Sequence, residues 1–359
     1  MSNGQRKTGP GIERKKAPTI RQAAEAAGVS IATVSRVLSG KGGVSEELTE
    51  KVRQAVEQLG FQPNRVARGL RRQTTQTVGV IVTDIQNPFF TSVLQSIERV
   101  LENEKYVLLL CNSDEQPSRE KIHIATLQAE GVAGIIIAPT RSDPTRYQPL
   151  IDSGMPVVII DREIQGLRAD CVTINNRDAS ARAVQHLIEL GHKKIGLISG
   201  PDYATTAVER KKGYLEALCE AGLPCPQSYI QTADYKQSGG YDAMCRLLDL
   251  PDPPSAVMVL NNLMTLGALQ AVHERQLNVP GDLALVGFDD MPWAAFLQPP
   301  ITVVAQPTYS LGEAAAQLLL DRIRDPGRPI FKVMLETSLI IRASTTGVTG
   351  ETVVQTNNP

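Results

Sequence analysis

The chain has 359 residues, enough for two or three domains with a sizeable core, and an apolar share ordinary for a globular protein. Its net charge of −1 conceals a split: residues 1–72 carry 14 Lys+Arg against 6 Asp+Glu, the remainder 23 against 32, the footprint of a basic nucleic-acid binder joined to a separate acidic domain. No apolar run approaches the ~18 residues of a membrane span, no apolar segment follows the basic leader to make a secretory signal, and five scattered cysteines (111, 171, 219, 225 and 245) read as reduced thiols.

Residues 1–17, with Arg6, Lys7, Arg14, Lys15 and Lys16 among Gly and Pro, are expected to be a disordered basic leader. Thr19 can cap a first helix to about Ala27, with Ile20, Ala23, Ala24 and Ala27 on one face. Gly28 suits a tight corner because it tolerates positive φ. Ser30 can cap a second helix, Ile31–Leu38, whose inward face is Val34, Val37 and Leu38. Two short helices around a Gly-Val-Ser corner are the layout of a helix-turn-helix, in which the second helix enters a DNA major groove. Ile31, Ala32, Ser35 and Arg36 face outward. Arg36 can bond a guanine edge and Ala32 can touch a thymine methyl, whereas Thr33 and Ser35 suit phosphates or the turn. Ser45 caps a third helix to about Leu59, with Val52, Val56 and Leu59 closing a small core. The head thus occupies 18–62, and a basic segment from Pro63 to Leu70 follows it.

From Val78 the pattern becomes short apolar runs (Val78–Val82, Val107–Cys111, Gly134–Ala138, Val157–Ile160, Ile195–Ser199, Ala256–Leu260, Leu283–Phe288) separated by amphipathic stretches. That alternation predicts βαβ units and parallel sheets. No Gly-x-Gly-x-x-Gly or Walker loop accompanies them. Ligands of such folds bind beyond the carboxyl ends of strands. Asp84, Asp161, Asn261 and Asp289 all follow apolar runs and could bond sugar hydroxyls, although a lone Asp there also serves as a helix cap or turn former. His123, His186, His192 and His273 share no metal or triad spacing, and Trp293 could line a cleft, a dimer face or the core. No cofactor is expected.

Thr19-Ile20 through Ala27-Gly28-Val29-Ser30-Ile31-Ala32-Thr33-Val34-Ser35-Arg36-Val37-Leu38, then Val44-Ser45, then Gly60-Phe61 and Pro63-Asn64 to Ala67-Arg68 and Leu70, resembles the head of the lactose/galactose-repressor (LacI/GalR) family. The resemblance implies that 63–75 form a hinge helix that wedges Leu70 into the minor groove, with Asn64, Arg65 and Arg68 on flanking phosphates. Further along, Asp84 to Phe90, Val158 to Arg162, Gly200-Pro201 with Arg210-x-x-Gly213-Tyr214, Asp234-Tyr235, Asn261-Asn262 and Gly287 to Asp290 resemble the family's effector-site segments, with Asn262 in place of the usual Asp. They imply an effector site of Asp84, Phe89, Phe90, Asp161, Arg210, Tyr235, Asn261 and Asp289.

The fold class implied is α/β: a small all-α helix-turn-helix head and hinge helix joined to a two-lobed, periplasmic-binding-protein-like body with parallel sheets. The body is expected at 76–345, lobe one as 76–174 plus 305–330 and lobe two as 175–304 plus 331–345, before a polar tail at 346–359. The function implied is that of a cytoplasmic transcriptional regulator, a repressor by family habit, gripping pseudopalindromic double-stranded operator DNA as a homodimer under control of a sugar or sugar-acid effector. A transport-type sugar-binding protein is disfavoured by the basic head, and a sugar-modifying enzyme by the lack of a triad, metal cluster or phosphate loop.

Overall fold

The computed structural model describes residues 18–38, 43–60, 75–346 and 353–355. The chain divides into two compact units, Met1–Thr75 and Gln76–Pro359.

In the first unit α1 (Ile20–Ala27), α2 (Ile31–Leu38) and α3 (Glu46–Leu59) pack on one another. Each start is capped. Thr19 and Gln22 form a reciprocal capping box, Ser30 Oγ accepts from Thr33 N at 3.1 Å, and Ser45 Oγ accepts from Leu48 N at 3.4 Å. Gly28 ends α1 at φ 65°, a left-handed conformation open to glycine. Ala23, Ala24, Val34 and Val52 form the buried centre, flanked by Val37, Leu38 and Val56. Leu59, expected in this core, is 38 % exposed; it is the last residue of α3, and Ala55, one turn earlier, is the buried one.

The second unit opens with β1 (Thr77–Val82), α4 (Pro88–Asn103), β2 (Val107–Asn112), α5 (Pro117–Ala129), β3 (Gly134–Ile137), α6 (Gln148–Asp152), β4 (Val157–Ile160) and β5 (Asp170–Ile174). These strands pair in parallel in the order β2-β1-β3-β4-β5. The chain then crosses to a second sheet through α7 (Asn176–Glu189), β6 (Ile195–Ser199), α8 (Thr205–Glu220), β7 (Ile230–Thr232), α9 (Gln237–Leu248), β8 (Ala256–Val259), α10 (Asn262–Glu274), β9 (Ala284–Phe288) and β10 (Thr302–Ala305). That sheet repeats the order, as β7-β6-β8-β9-β10. Central strands of both are buried on each face, which is why they read as unbroken apolar runs.

After β10, α11 (Thr308–Arg324) returns to pack on α4 and on β3, β4 and β5. β11 (Lys332–Leu335) then adds to β5 in parallel, and β12 (Ser338–Ile341) lies antiparallel to β10. The expected lobe boundary at 330 is therefore corrected: 332–335 belong to the first sheet, and the last crossing falls between Leu335 and Ser338. The cause is Asp170, buried at the start of β5. Its carboxylate accepts from Arg322 Nε (3.0 Å) and Nη2 (3.1 Å), Arg328 Nη2 (3.1 Å) and Phe331 N (2.8 Å), fastening the end of α11 and the approach to β11 onto β5. Two short elements fall within or at the edge of the expected polar tail. The short α12 (Ala343–Thr346) occupies its first residue, and β13 (Val353–Gln355) pairs with β12.

His186 Nε2 lies 3.0 Å from Thr345 Oγ1 and His192 Nδ1 lies 3.0 Å from Ser255 Oγ. Trp293 packs, half-buried, on the main core. Among the described residues no helix is long and apolar enough to cross a membrane and no His/Cys/Asp/Glu group could hold a metal ion; the five cysteines are free thiols.

Candidate functional site

The first unit offers one exposed reading face. Ile31 (44 % exposed), Ala32 and Arg36 stand in solvent on α2, with Thr33 and Ser35 half-buried beside them. Thr19, Ser30 and Ser45 spend their hydroxyls on helix starts. Asn64, Arg65, Arg68 and Leu70 lie outside the described residues.

In the second unit, a cavity enclosing about 450 Å³ of empty space, its solvent mouth included, lies where the carboxyl ends of the two sheets meet. Its walls include Asp84, Phe89, Phe90 and Asp161 from the first lobe and Arg210, Tyr235, Asn261 and Asp289 from the second. All eight expected residues thus come together. The repeated strand order explains why: each sheet reverses direction of build beside its first strand, and such points open a crevice beyond the strand ends.

Local backbone aims these groups. Asp161 (φ 66°), Tyr235 (φ 66°) and Asp289 (φ 73°) are left-handed, as is Glu115 (φ 56°), which also lines the cavity. Such conformations are disfavoured for side chains with a Cβ and concentrate at functional sites. Gly200 leaves room for the Tyr235 ring, because a Cβ there would overlap it. Gly213 lets α8 approach the Arg177 carbonyl of α7, which a Cβ would also strike. That close approach sets Arg210, one turn earlier, so that Nε donates to Asn176 Oδ1 and Nη1 to the Leu260 carbonyl, both at 2.7 Å. Its guanidinium carbon lies 3.6 Å from the Phe288 ring centroid. Asn261 is the N-cap of α10: Oδ1 accepts from Met264 N (2.8 Å) while Nδ2 donates to the Tyr235 carbonyl (3.2 Å). Its amide is committed to holding Tyr235.

Several groups in or beside the cavity stand outside the expected eight. Arg162 meets Glu115 through two bonds (2.8 and 2.5 Å) and donates to the Pro139 carbonyl (3.1 Å). Lys236, from the second lobe, bonds Asp84 Oδ2 (2.7 Å) and Asp114 Oδ1 (2.9 Å) of the first. Asn262 Nδ2 donates to Asn87 Oδ1 (2.8 Å), again across the lobes. Gln306 Nε2 donates to Asp289 Oδ1 (2.5 Å). The available signals were the acidic pair Asp114-Glu115 closing β2 and the Lys beside Tyr235; the partnerships themselves join residues 17 to 175 positions apart.

Burial pushes the Asp161 carboxyl above its ordinary range, opposed by Arg162 and Arg210 and reinforced by Asp289 and Glu115. Burial likewise raises Asp289 against the pull of Arg210 and Gln306. Burial pulls Lys236 down, but its bonds to Asp84 and Asp114 outweigh this and leave it raised. The cavity therefore holds buried acceptors and donors, aromatic faces and cross-lobe bonds: a clamp for a small polar ligand, with no nucleophile–base pair in hydrogen-bond contact.

Residues 19–64 match the model for bacterial regulatory proteins of the lacI family, and 184–345 match a periplasmic binding protein-like domain. The ribose operon repressor of Escherichia coli (strain K12) is 35 % identical over 327 residues, 91 % of this chain and 99 % of that protein. A solved structure of the transcriptional regulator CelR in complex with cellobiose is 33 % identical with a TM-score of 0.69, covering 91 % of this chain and 99 % of CelR. The lac repressor dimer, solved with operator and the anti-inducer ONPF, is 26 % identical with a TM-score of 0.82, covering 92 % and 99 %. This chain belongs to the lacI family of bacterial regulatory proteins, and like its relatives it is a DNA-binding transcriptional regulator, not an enzyme.

Proposed function

We propose that this regulator is a cytoplasmic repressor that binds a pseudopalindromic operator as a homodimer and is switched by a small sugar in the cavity of its body. Arg36, Ile31 and Ala32 read base edges, while Thr19, Ser30, Thr33 and Ser45, at or near helix starts, and Ser35 within α2 meet phosphates. Asn64, Arg65 and Arg68 hold flanking phosphates, and Leu70 wedges the central step. Exposed Val107, Leu109 and Leu110 on the edge strand β2 support contact with a second copy. The cellobiose bound to CelR, and the ribose operon for which the Escherichia coli repressor is named, support a sugar.

The observation that carries this reading is the convergence of eight residues, spread from Asp84 to Asp289, on one cavity between two lobes of a chain that also carries a helix-turn-helix. An effector that favours one lobe arrangement shifts operator affinity, and operator shifts effector affinity equally, typically by ~1–3 kcal/mol. Selection of binding sites from a random DNA pool, repeated with and without candidate sugars, tests it. A recovered pseudopalindrome whose affinity changes with one sugar is the expected result; DNA binding without sequence preference, or one indifferent to every cavity-binding sugar, refutes it.

A further inference from the structure

We infer that the effector is an uncharged polyhydroxyl compound and that the cavity rejects its carboxylated and phosphorylated counterparts. This rests on the effector reading above. Four carboxylates (Asp84, Glu115, Asp161, Asp289) and three cations (Arg162, Arg210, Lys236) line the cavity. Two of the three cations are ion-paired, and the third is flanked by two carboxylates. Glu115 occupies Arg162 through two bonds, and both lie at most about a tenth exposed. Asp84 and Asp114 share Lys236. Arg210 has Nε and Nη1 bonded and sits in the field of both Asp161 and Asp289. Lys211 and Lys212, which sequence alone places near Arg210, do not line the cavity: Lys212 bonds Glu209 at 2.6 Å and Lys211 points toward Asp202 at 4.0 Å.

An anionic group would therefore meet a wall of four carboxyl groups, could reach Arg162 or Lys236 only by breaking a bonded pair, and would compete for Arg210 with Asp161 and Asp289. The open valences point the same way. Arg162 Nε, 3.5 Å from Asp161 Oδ2, and Gln306 Oε1 are buried without a hydrogen bond, one donor and one acceptor on residues that line the cavity. Asp161 and Asp289 add acceptors, and Phe89 and Phe90 add apolar faces. A hydroxyl both donates and accepts and so satisfies both kinds of wall atom; a phosphate or carboxylate only accepts.

The test is isothermal titration of the full-length protein with matched sets: D-ribose, D-ribonate and D-ribose 5-phosphate; D-glucose, D-gluconate and D-glucose 6-phosphate; and D-glucosamine. In a set whose neutral member binds, the anionic members should bind at least roughly 100-fold more weakly. Asp114→Asn, a change outside the cavity wall, should free part of the Lys236 charge and narrow that ratio roughly fivefold. Equal or tighter binding of an acid or phosphate overturns the inference, as does glucosamine binding tighter than glucose. Binding of a non-carbohydrate alone, with every sugar inert, overturns the sugar reading itself.

Discussion

In the head, Ile31, Ala32 and Arg36 stand exposed on a helix whose other face holds Val34 in a small core. In the body, Asp161, Arg210 and Asp289 are each under a tenth exposed and are bonded to, or in the field of, one another and their neighbours. A reading face can change without disturbing what carries it; a buried clamp cannot. Stability and recognition should therefore separate in the head and be entangled in the body.

The comparison can be broken most severely at Asp170. Asp170→Ala leaves Arg322 and Arg328, whose side chains are 14 % and 12 % exposed, without their shared carboxylate, and about 3–5 kcal/mol of stability should disappear. Urea denaturation monitored by circular dichroism reads this directly, and a loss under about 1 kcal/mol would mean the cluster is solvated. Next is Arg210→Ala, expected to abolish measurable effector binding and also to lower stability by about 1–3 kcal/mol, because Asn176 and the Leu260 carbonyl lose their donor. Wild-type stability in that variant would place Arg210 with the separable residues and undo the contrast. Arg36→Ala should cost about 1–3 kcal/mol of preference for operator over random DNA and shift the unfolding midpoint less than Arg210→Ala does. Fluorescence anisotropy on both DNAs supplies the ratio.

The smallest effect is that of pH. Burial lowers His186 and His192 below the ordinary value of 6.5, with Glu189 opposing for His186. The unfolded chain then takes up these protons first, so their contribution is intact above pH ~6.5 and is lost as pH falls toward the folded values. Asp161 and Asp289, raised by burial, act in the opposite sense. Urea midpoints at pH 7.5 and 5.5 should fall on acidification, and the His186→Gln, His192→Gln double variant should flatten that fall.

What sequence could reveal follows the same division. The head was legible because its determinants are local: Thr19 with Gln22, Ser30 with Thr33 and Gly28 each act within a few residues. Body strands buried on both faces were legible as apolar runs, whereas β11 escaped notice because Lys332–Leu335 alternates at a sheet edge and is fixed there by Asp170, far away in the chain. Asp84, Asp161 and Asp289 were visible as polar residues ending strands. Glu115 and Lys236 were not, since charge pairing over 47 and 152 positions is a property of the assembled lobes.

The left-handed backbone at Asp161, Tyr235 and Asp289 limits how this regulator can acquire a new effector. Asp and Asn tolerate that conformation better than other residues with a Cβ. Positions 161 and 289 can thus exchange a charged acceptor for a neutral amide while keeping the loop, whereas a branched or bulky replacement must also reshape it. Tyr235 already holds a bulky side chain there, braced by the amide of Asn261 and the space above Gly200. A change at any of these three positions should shift the others, so retuning of specificity is expected to travel as coupled substitutions, with 161 and 289 drifting first between Asp and Asn.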